Sequence, residues 1–208
     1  MMMNRTGITI AQSIRIGIAA FLCLLLTGCY LPDRFKVELT LEANGDYLYT
    51  YSGELLSYNF LRKIGQGEAT ADDKEQIDIY ANDLKRDSSF KKVTYIGNAR
   101  YRVVYEKESN ILERRTFSFV SRRSPFLTLK QREDGAIEIT GNRPAKQYRD
   151  ELIAKGFDTR GTILIRSKMR SIEDNADESR LGGEYDLYAW VYETIEKEVP
   201  KLVMIPGG

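Results

Sequence analysis

Alternation of apolar and polar residues predicts a β-hairpin at the start of the main body of the chain. The odd-numbered positions from 35 to 41 are apolar, and the residues between them are polar or charged. This period of two is typical of a strand with one buried face. The Asn44-Gly45 pair that follows favours a tight turn, because both residues tolerate a positive φ. A return strand over 46–52 then places three tyrosines on one face.

Helical spacing predicts two helices and leaves a third segment open. The first helix follows an N-cap at 70–73 and has an apolar side made of Ile77, Tyr80, Ala81 and Leu84. The second begins at Pro144 and ends at Gly156, with an apolar side made of Tyr148, Leu152 and Ile153. Residues 57–67 fit either a helical turn or a loop.

Further strands are predicted over 90–97, 100–107, 116–120, 126–129, 137–139, 162–166, 185–192 and 202–205. The polar stretch 173–183 is interpreted as an exposed loop. Short turns such as Asp134-Gly135 join neighbouring strands, which favours antiparallel pairing. The sequence therefore predicts an α+β fold, with a mainly antiparallel sheet and two covering helices.

The amino-terminal segment has the pattern of a secretory signal. It carries Arg5 and Arg15 but no acid, and the eleven residues 16–26 that follow are uncharged. A membrane-spanning helix needs roughly 20 apolar residues, so this run is too short to span. A basic start, a compact apolar run and small residues before a cleavage site are typical of an export signal. The run ends in Leu26-Thr27-Gly28-Cys29.

Leu26-Thr27-Gly28-Cys29 resembles the lipobox of bacterial lipoproteins. The resemblance implies that residues 1–28 are a signal peptide, that Cys29 receives a diacylglycerol, and that the new amino terminus is acylated. Residues 29–33 would form a lipidated tether, and 34–208 a single α+β periplasmic domain. By analogy with that class, Tyr30 in place of an aspartate favours the outer membrane over the inner membrane. An ordinary signal peptide with an accidental cysteine, or an apolar core helix, are the alternatives.

Composition excludes several kinds of chemistry. The chain has no histidine, which rules out Ser-His-Asp and Cys-His nucleophiles and histidine-based zinc sites. Two of the 31 basic residues and none of the 30 acids lie in the leader, so the remainder has a formal charge of −1. That balance gives no basic excess for nucleic acid. We predict no catalytic residues, no metal ligands and no cofactor.

Two groups of residues are candidates for weak ligand binding. Arg122 and Arg123 could grip a phosphate or carboxylate, although such a pair also suits a solvated loop. Tyr185 and Trp190 could stack on a sugar or line a lipid pocket, although aromatic residues also serve ordinary sheet packing.

The strand over residues 185–190, followed by Pro200-Lys201-Leu202-Val203-Met204, completes an order of elements that resembles the LppM-type lipoprotein ectodomain. The order begins with the lipobox, a strand hairpin and a covering helix. The resemblance implies an α+β fold with a curved, mainly antiparallel sheet, and a lipid- or ligand-holding role. Unlike the mycobacterial form, this protein is expected to have no carboxy-terminal membrane helix, because no second apolar span appears in the sequence.

Together these features predict a lipid-anchored envelope lipoprotein that binds a lipid, a glycan or a protein partner. It would contact the membrane through lipidated Cys29 and would not bind nucleic acid. The alternatives are an envelope hydrolase that uses carboxylates or a Ser/Lys pair, and a structural lipoprotein that completes a complex.

We expect Cys29→Ser to abolish both lipidation and retention in the membrane fraction, because no other cysteine remains after cleavage at Gly28. Mass spectrometry of the membrane-extracted protein checks this. Recovery of the native chain in the aqueous fraction with an unmodified Cys29 would contradict the prediction.

Overall fold

A computed structural model describes residues 30–120 and 125–206. Cys29, Arg122, Arg123 and the leader lie outside the described residues. Twelve strands are found in the described part: β1 (Tyr30–Leu41), β2 (Asp46–Ser57), β3 (Phe90–Tyr95), β4 (Arg100–Asn110), β5 (Thr116–Phe119), β6 (Leu127–Gln131), β7 (Ile137–Gly141), β8 (Gly161–Ser167), β9 (Arg170–Asp174), β10 (Glu178–Arg180), β11 (Asp186–Tyr192) and β12 (Lys201–Ile205). The helices there are α1 (Tyr58–Gly65), α2 (Lys74–Lys85), α3 (Ile111–Arg114) and α4 (Lys146–Ala154).

The strands form two sheets. The seven-stranded sheet has the order β10-β11-β8-β1-β2-β4-β3, and the five-stranded sheet has the order β5-β6-β7-β12-β9. Neighbours are antiparallel except β1 and β8, which are parallel. The α+β class with mainly antiparallel strands is confirmed, but a single sheet with two covering helices is wrong. The period of two indicates which side chains of a strand share a face, but it does not indicate which sheet the strand joins.

The predicted hairpin is confirmed, and it extends further than predicted. Strand β1 begins at Tyr30, which pairs with Ser57 of β2, and Asp33 pairs with Glu54. Tyr30 and Asp33 are each 5% exposed. The interpretation of residues 30–33 as a tether is therefore wrong, because this segment is part of the sheet.

Local capping explains two of the helices. Residues 57–67, ambiguous in sequence, contain α1, where the Ser57 hydroxyl accepts a hydrogen bond from the Phe60 N–H at 3.4 Å. The predicted helix after residue 73 is confirmed as α2, which is capped by the Asp73 carboxylate and buries Tyr80 and Leu84. None of the helices within residues 30–120 and 125–206 is long and apolar enough to cross a membrane.

The apolar side predicted for the second helix is largely wrong. Helix α4 begins at Lys146 and buries Leu152, whereas Tyr148 and Ile153 are 46% and 45% exposed. Arg149 is buried in their place, and its guanidinium binds the Glu196 carboxylate at 2.8 Å. A paired arginine thus occupies part of the face that spacing assigned to apolar side chains.

The stretch predicted as a loop over 173–183 contains the last two residues of β9 and the whole of β10. These two strands are edges of the five-stranded and seven-stranded sheets. All three residues of β10 are exposed, as are Lys91 and Lys92 on the other edge strand, β3. Polarity here therefore marks sheet edges, where charged side chains are common.

Aromatic side chains fill the space between the two sheets. Phe119 of β5 lies 4.6 Å from Tyr51 and 4.9 Å from Tyr105, measured between ring centroids. Tyr49 and Tyr51 are at most 1% exposed. The tyrosine face predicted for the hairpin is therefore a core face that joins one sheet to the other.

Phe35 is closely packed between two glycines. Its backbone passes between Gly53 of β2 and Gly161 of β8, and a Cβ added at Gly53 would lie 2.7 Å from its Cα. Its ring contacts Phe126, just before β6, and Tyr192 of β11, with centroids 5.0 and 5.6 Å away. Only glycine allows this close approach of strands β1 and β2.

We expect Gly53→Ala to lower the free energy of unfolding by about 2 kcal/mol, because the added methyl group meets backbone rather than a movable side chain. Urea unfolding measures the change. Gly65→Ala is the matched control: no atom lies within 4 Å of its added Cβ, and we expect it to leave stability equal or slightly raised. Equal losses in both variants would contradict the prediction.

Candidate functional site

The structure separates the residues predicted to bind a ligand. Trp190 is 1% exposed, and its Nε1–H points at the main-chain oxygen of Asn175 at 3.1 Å and at its Oδ1 at 3.0 Å. Tyr185 precedes β11, donates to the Glu42 carboxylate at 2.5 Å, and lies under the Lys168 ammonium. Trp190 is therefore a core residue, and Tyr185 belongs to a polar surface cluster.

Trp190 and Tyr185 do not form one site. Asp186, beside Tyr185, pairs with Ser167 at one end of β8, whereas Trp190 pairs with Ile163 toward the other end. The separation along the strand is about 15 Å at roughly 3.3 Å per residue. Arg122 and Arg123 lie outside the described residues, so their predicted anion binding stays a prediction.

A cavity of about 440 Å³ lies at the end of the molecule where β1 begins. This volume is within the range of small-molecule sites. Its walls come from β1, α1, the entry to β6, the β7–α4 connection, α4 and the end of the β8–β11 pair where β8 begins and β11 ends: Tyr30, Leu31, Pro32, Tyr58, Asn59, Arg62, Pro125, Phe126, Asn142, Arg143, Pro144, Ala145, Tyr148, Leu152, Thr159, Tyr192 and Ile195. Below, "the cavity" means this space.

The lining of the cavity is mainly apolar and carries positive charge only. Arg62 and Arg143 are its charged residues, and it contains no carboxylate. Both arginines are exposed, and in the part of the chain that the structure describes neither forms a salt bridge. Arg143 donates to the main-chain oxygen of Glu196 at 2.8 Å. The arrangement suits an apolar molecule with an anionic end.

Tyr30 fixes the wall of the cavity at the first described residue. Its hydroxyl donates to the main-chain oxygen of Tyr80 at 3.0 Å and lies 3.1 Å from the Asp83 carboxylate. Burial, with a smaller contribution from Asp83, raises the pKa of the Tyr30 hydroxyl far above its usual value. Burial likewise raises the pKa of Tyr192. Both phenols therefore stay neutral and add no negative charge beside the arginines.

A buried ion cluster braces the chain next to the cavity. The Arg100 guanidinium lies 2.8 Å from the Asp33 carboxylate and 3.5 Å from that of Glu54. Asp33 also accepts hydrogen bonds from the N–H groups of Arg34 at 2.9 Å and Arg160 at 3.3 Å. Pro32 and Thr159, both in the cavity wall, are the chain neighbours of Asp33 and Arg160, so the cluster holds two parts of that wall together.

The cluster also bears on the hydrolase alternative. Asp33 and Glu54 are directly opposite on paired strands, which is the kind of carboxylate pair that alternative requires. Both bind Arg100, and neither lines the cavity. Among the described residues no three acids or cysteines are grouped so that they could hold a metal ion. The geometry thus provides a brace, and no observation favours the hydrolase.

Sequence reasoning missed both the cavity and the cluster. Cavity residues belong to α1, whose sequence fits either a helical turn or a loop, and to the first residues of β1, which the sequence presents as a tether. Others belong to α4, whose predicted apolar side is largely wrong. Two features point weakly to the cavity and the cluster: Tyr148 is exposed on α4, and the acids Asp33 and Glu54 lie within otherwise apolar stretches.

Comparisons with known proteins give one structural likeness to report. No protein-family model matches the chain, and no curated protein matches it. The folded domain of LppM from Mycobacterium tuberculosis, a structure determined by NMR, is similar to this chain with a TM-score of 0.43. The two share 9% sequence identity over 86% of this chain and 95% of that one. LppM is also the type of lipoprotein that the order of elements in the sequence resembles.

We expect Arg100→Met to lower the free energy of unfolding by about 3 kcal/mol, because it leaves two buried carboxylates without their shared partner. Thermal or urea unfolding measures the loss. Arg102→Met is the matched control: Arg102 binds Glu54 from a side chain that is 64% exposed, where a salt bridge contributes less than about 1 kcal/mol. A loss at Arg100 no larger than that at Arg102 would show that the cluster is not a brace.

Proposed function

We propose that this protein is a lipid-anchored lipoprotein of the bacterial envelope, and that its domain binds one acyl chain of an anionic amphiphile in the cavity. The position of Tyr30 carries the proposal: this residue lines the cavity and directly follows Cys29, the lipobox cysteine. A ligand in the cavity would therefore lie beside the attachment point of the membrane anchor.

The chemistry of the cavity supports a lipid over the other two ligand classes. Apolar walls favour an acyl chain because they remove it from water, and Arg62 and Arg143 can bind a carboxylate or phosphate at its end. A glycan site needs exposed aromatic faces, whereas Tyr30, Phe126 and Tyr192 in the lining are buried and Tyr148 is the exposed aromatic residue among those described there. A cavity of about 440 Å³ suits a small molecule better than the flat surface of a protein partner.

The lipobox resemblance and the position of β1 support a proposed location. The anchor would hold the domain at an envelope membrane, facing the periplasm, and Tyr30 after the cysteine favours the outer membrane. Because Tyr30 already pairs with Ser57, the mouth of the cavity would stay close to the lipid headgroups. The proposed source of the ligand is the membrane itself.

We expect the chain from residue 29 onward, carrying Cys29→Ser, to bind cis-parinaric acid, a fluorescent fatty acid, saturably. All described elements and core residues lie within this chain. Ala145→Trp places a large side chain in the cavity wall and should weaken binding by about tenfold or more. Fluorescence titration measures the dissociation constant.

Ala154→Trp is the matched control for this experiment. Ala154 is an exposed residue of the same helix region that does not line the cavity, so its replacement should leave the affinity unchanged. Absence of saturable binding, or equal weakening by both tryptophans, would show that the cavity is not the lipid site.

A further inference from the structure

The residue that lines the cavity and the residue predicted to carry the anchor are joined by one peptide bond. Consecutive Cα atoms across a trans peptide bond are about 3.8 Å apart. An acyl chain on Cys29 would begin at the edge of the same apolar space that a ligand would occupy. No residue lies between Cys29 and Tyr30 that could separate the acyl chain from the cavity wall.

Tyr30 holds this exit point in place. It is 5% exposed, pairs with Ser57 in the sheet, and donates its hydroxyl proton to the main-chain oxygen of Tyr80. A group tethered at a fixed point beside a site has a high effective concentration there, on the order of millimolar or more. The acyl chains of the anchor would therefore occupy the cavity in preference to a free ligand at lower concentration.

We propose that the cavity holds one acyl chain of the lipid on Cys29 whenever the protein is away from a membrane. This inference rests on the proposed function, because it assigns a competitor to the same site. In water, an exposed acyl chain gains by entering an apolar cavity. In a bilayer that chain is already in an apolar surrounding, so it leaves the cavity to an external amphiphile.

The volume of the cavity limits it to a single chain. About 440 Å³ is at the lower end of small-molecule sites, too small for the several chains of a lipoprotein anchor. The remaining chains stay available for a membrane, where one chain alone holds weakly and two hold stably. Release of the stored chain on contact with a bilayer would then complete the anchor.

Strand β1 provides a matched control position. It runs from Tyr30 at the cavity to Leu41 at the other end of the sheet, which is about 35 Å at roughly 3.3 Å per residue. Ala43 is exposed in the following turn. An acyl chain spans half of a hydrocarbon core, about 15 Å, so a chain attached at Ala43 cannot reach the cavity.

The experiment attaches the same chain at the two positions. Cys29 is the sole cysteine of the chain from residue 29 onward, so N-hexadecylmaleimide alkylates it selectively. The control carries Cys29→Ser with Ala43→Cys and the same reagent, and N-ethylmaleimide at Cys29 reports attachment without a long chain. Titration with cis-parinaric acid and thermal unfolding are measured on all three.

We expect the hexadecyl group at Cys29 to weaken binding of cis-parinaric acid by at least about tenfold and to raise Tm by several degrees over the other two proteins. Equal binding with the long chain at Cys29 and at Ala43 overturns the inference and leaves the proposed function intact. Failure of the N-ethylmaleimide protein to bind cis-parinaric acid overturns the proposed function instead. In that case an equal Tm for the two hexadecyl proteins overturns the inference as well.

Discussion

The close passage of the Phe35 backbone between Gly53 and Gly161 sets the arrangement of the rest of the molecule. It brings β1 into contact with an antiparallel neighbour on one side and a parallel neighbour on the other. The Phe35 ring then reaches Phe126 beside the second sheet. Between Asp33 and Lys36 the register of β1 shifts, so the tight contact at Phe35 lies within this irregularity, and the cavity wall of residues 30–32 directly precedes it.

Features that depend on neighbouring residues could be predicted from the sequence. The hairpin turn at Asn44-Gly45 and the helix capped by Asp73 follow from local conformational preferences and spacing. The division into two sheets could not be predicted, because β8 pairs with β1 from more than a hundred residues away. Trp190 is a second example of a feature that could not be predicted. An aromatic residue that is buried in the core and one that is exposed for stacking on a ligand occur at the same alternating positions of a strand.

The cavity depends on the same long-range contacts. Tyr30, Arg62 and Arg143 come from three separate parts of the chain, and no spacing rule relates them. The segment 30–33 contains a proline and an acid and shows no alternation, so it resembles a linker. Where this segment pairs with β2, Arg100 binds Asp33 and Glu54 together. The burial of such a charged residue can be predicted only when its ion-pair partner is known.

The two sheet edges of the larger sheet carry a consequence for a protein held in the plane of a membrane. The proposed anchor would confine copies to two dimensions, where exposed strands meet far more often than in dilute solution. Strand β3 presents Lys91 and Lys92 at one edge, and all three residues of β10 are exposed at the other. Such charged edges oppose the addition of a strand from a neighbouring molecule. Many copies per area of membrane could therefore remain monomeric.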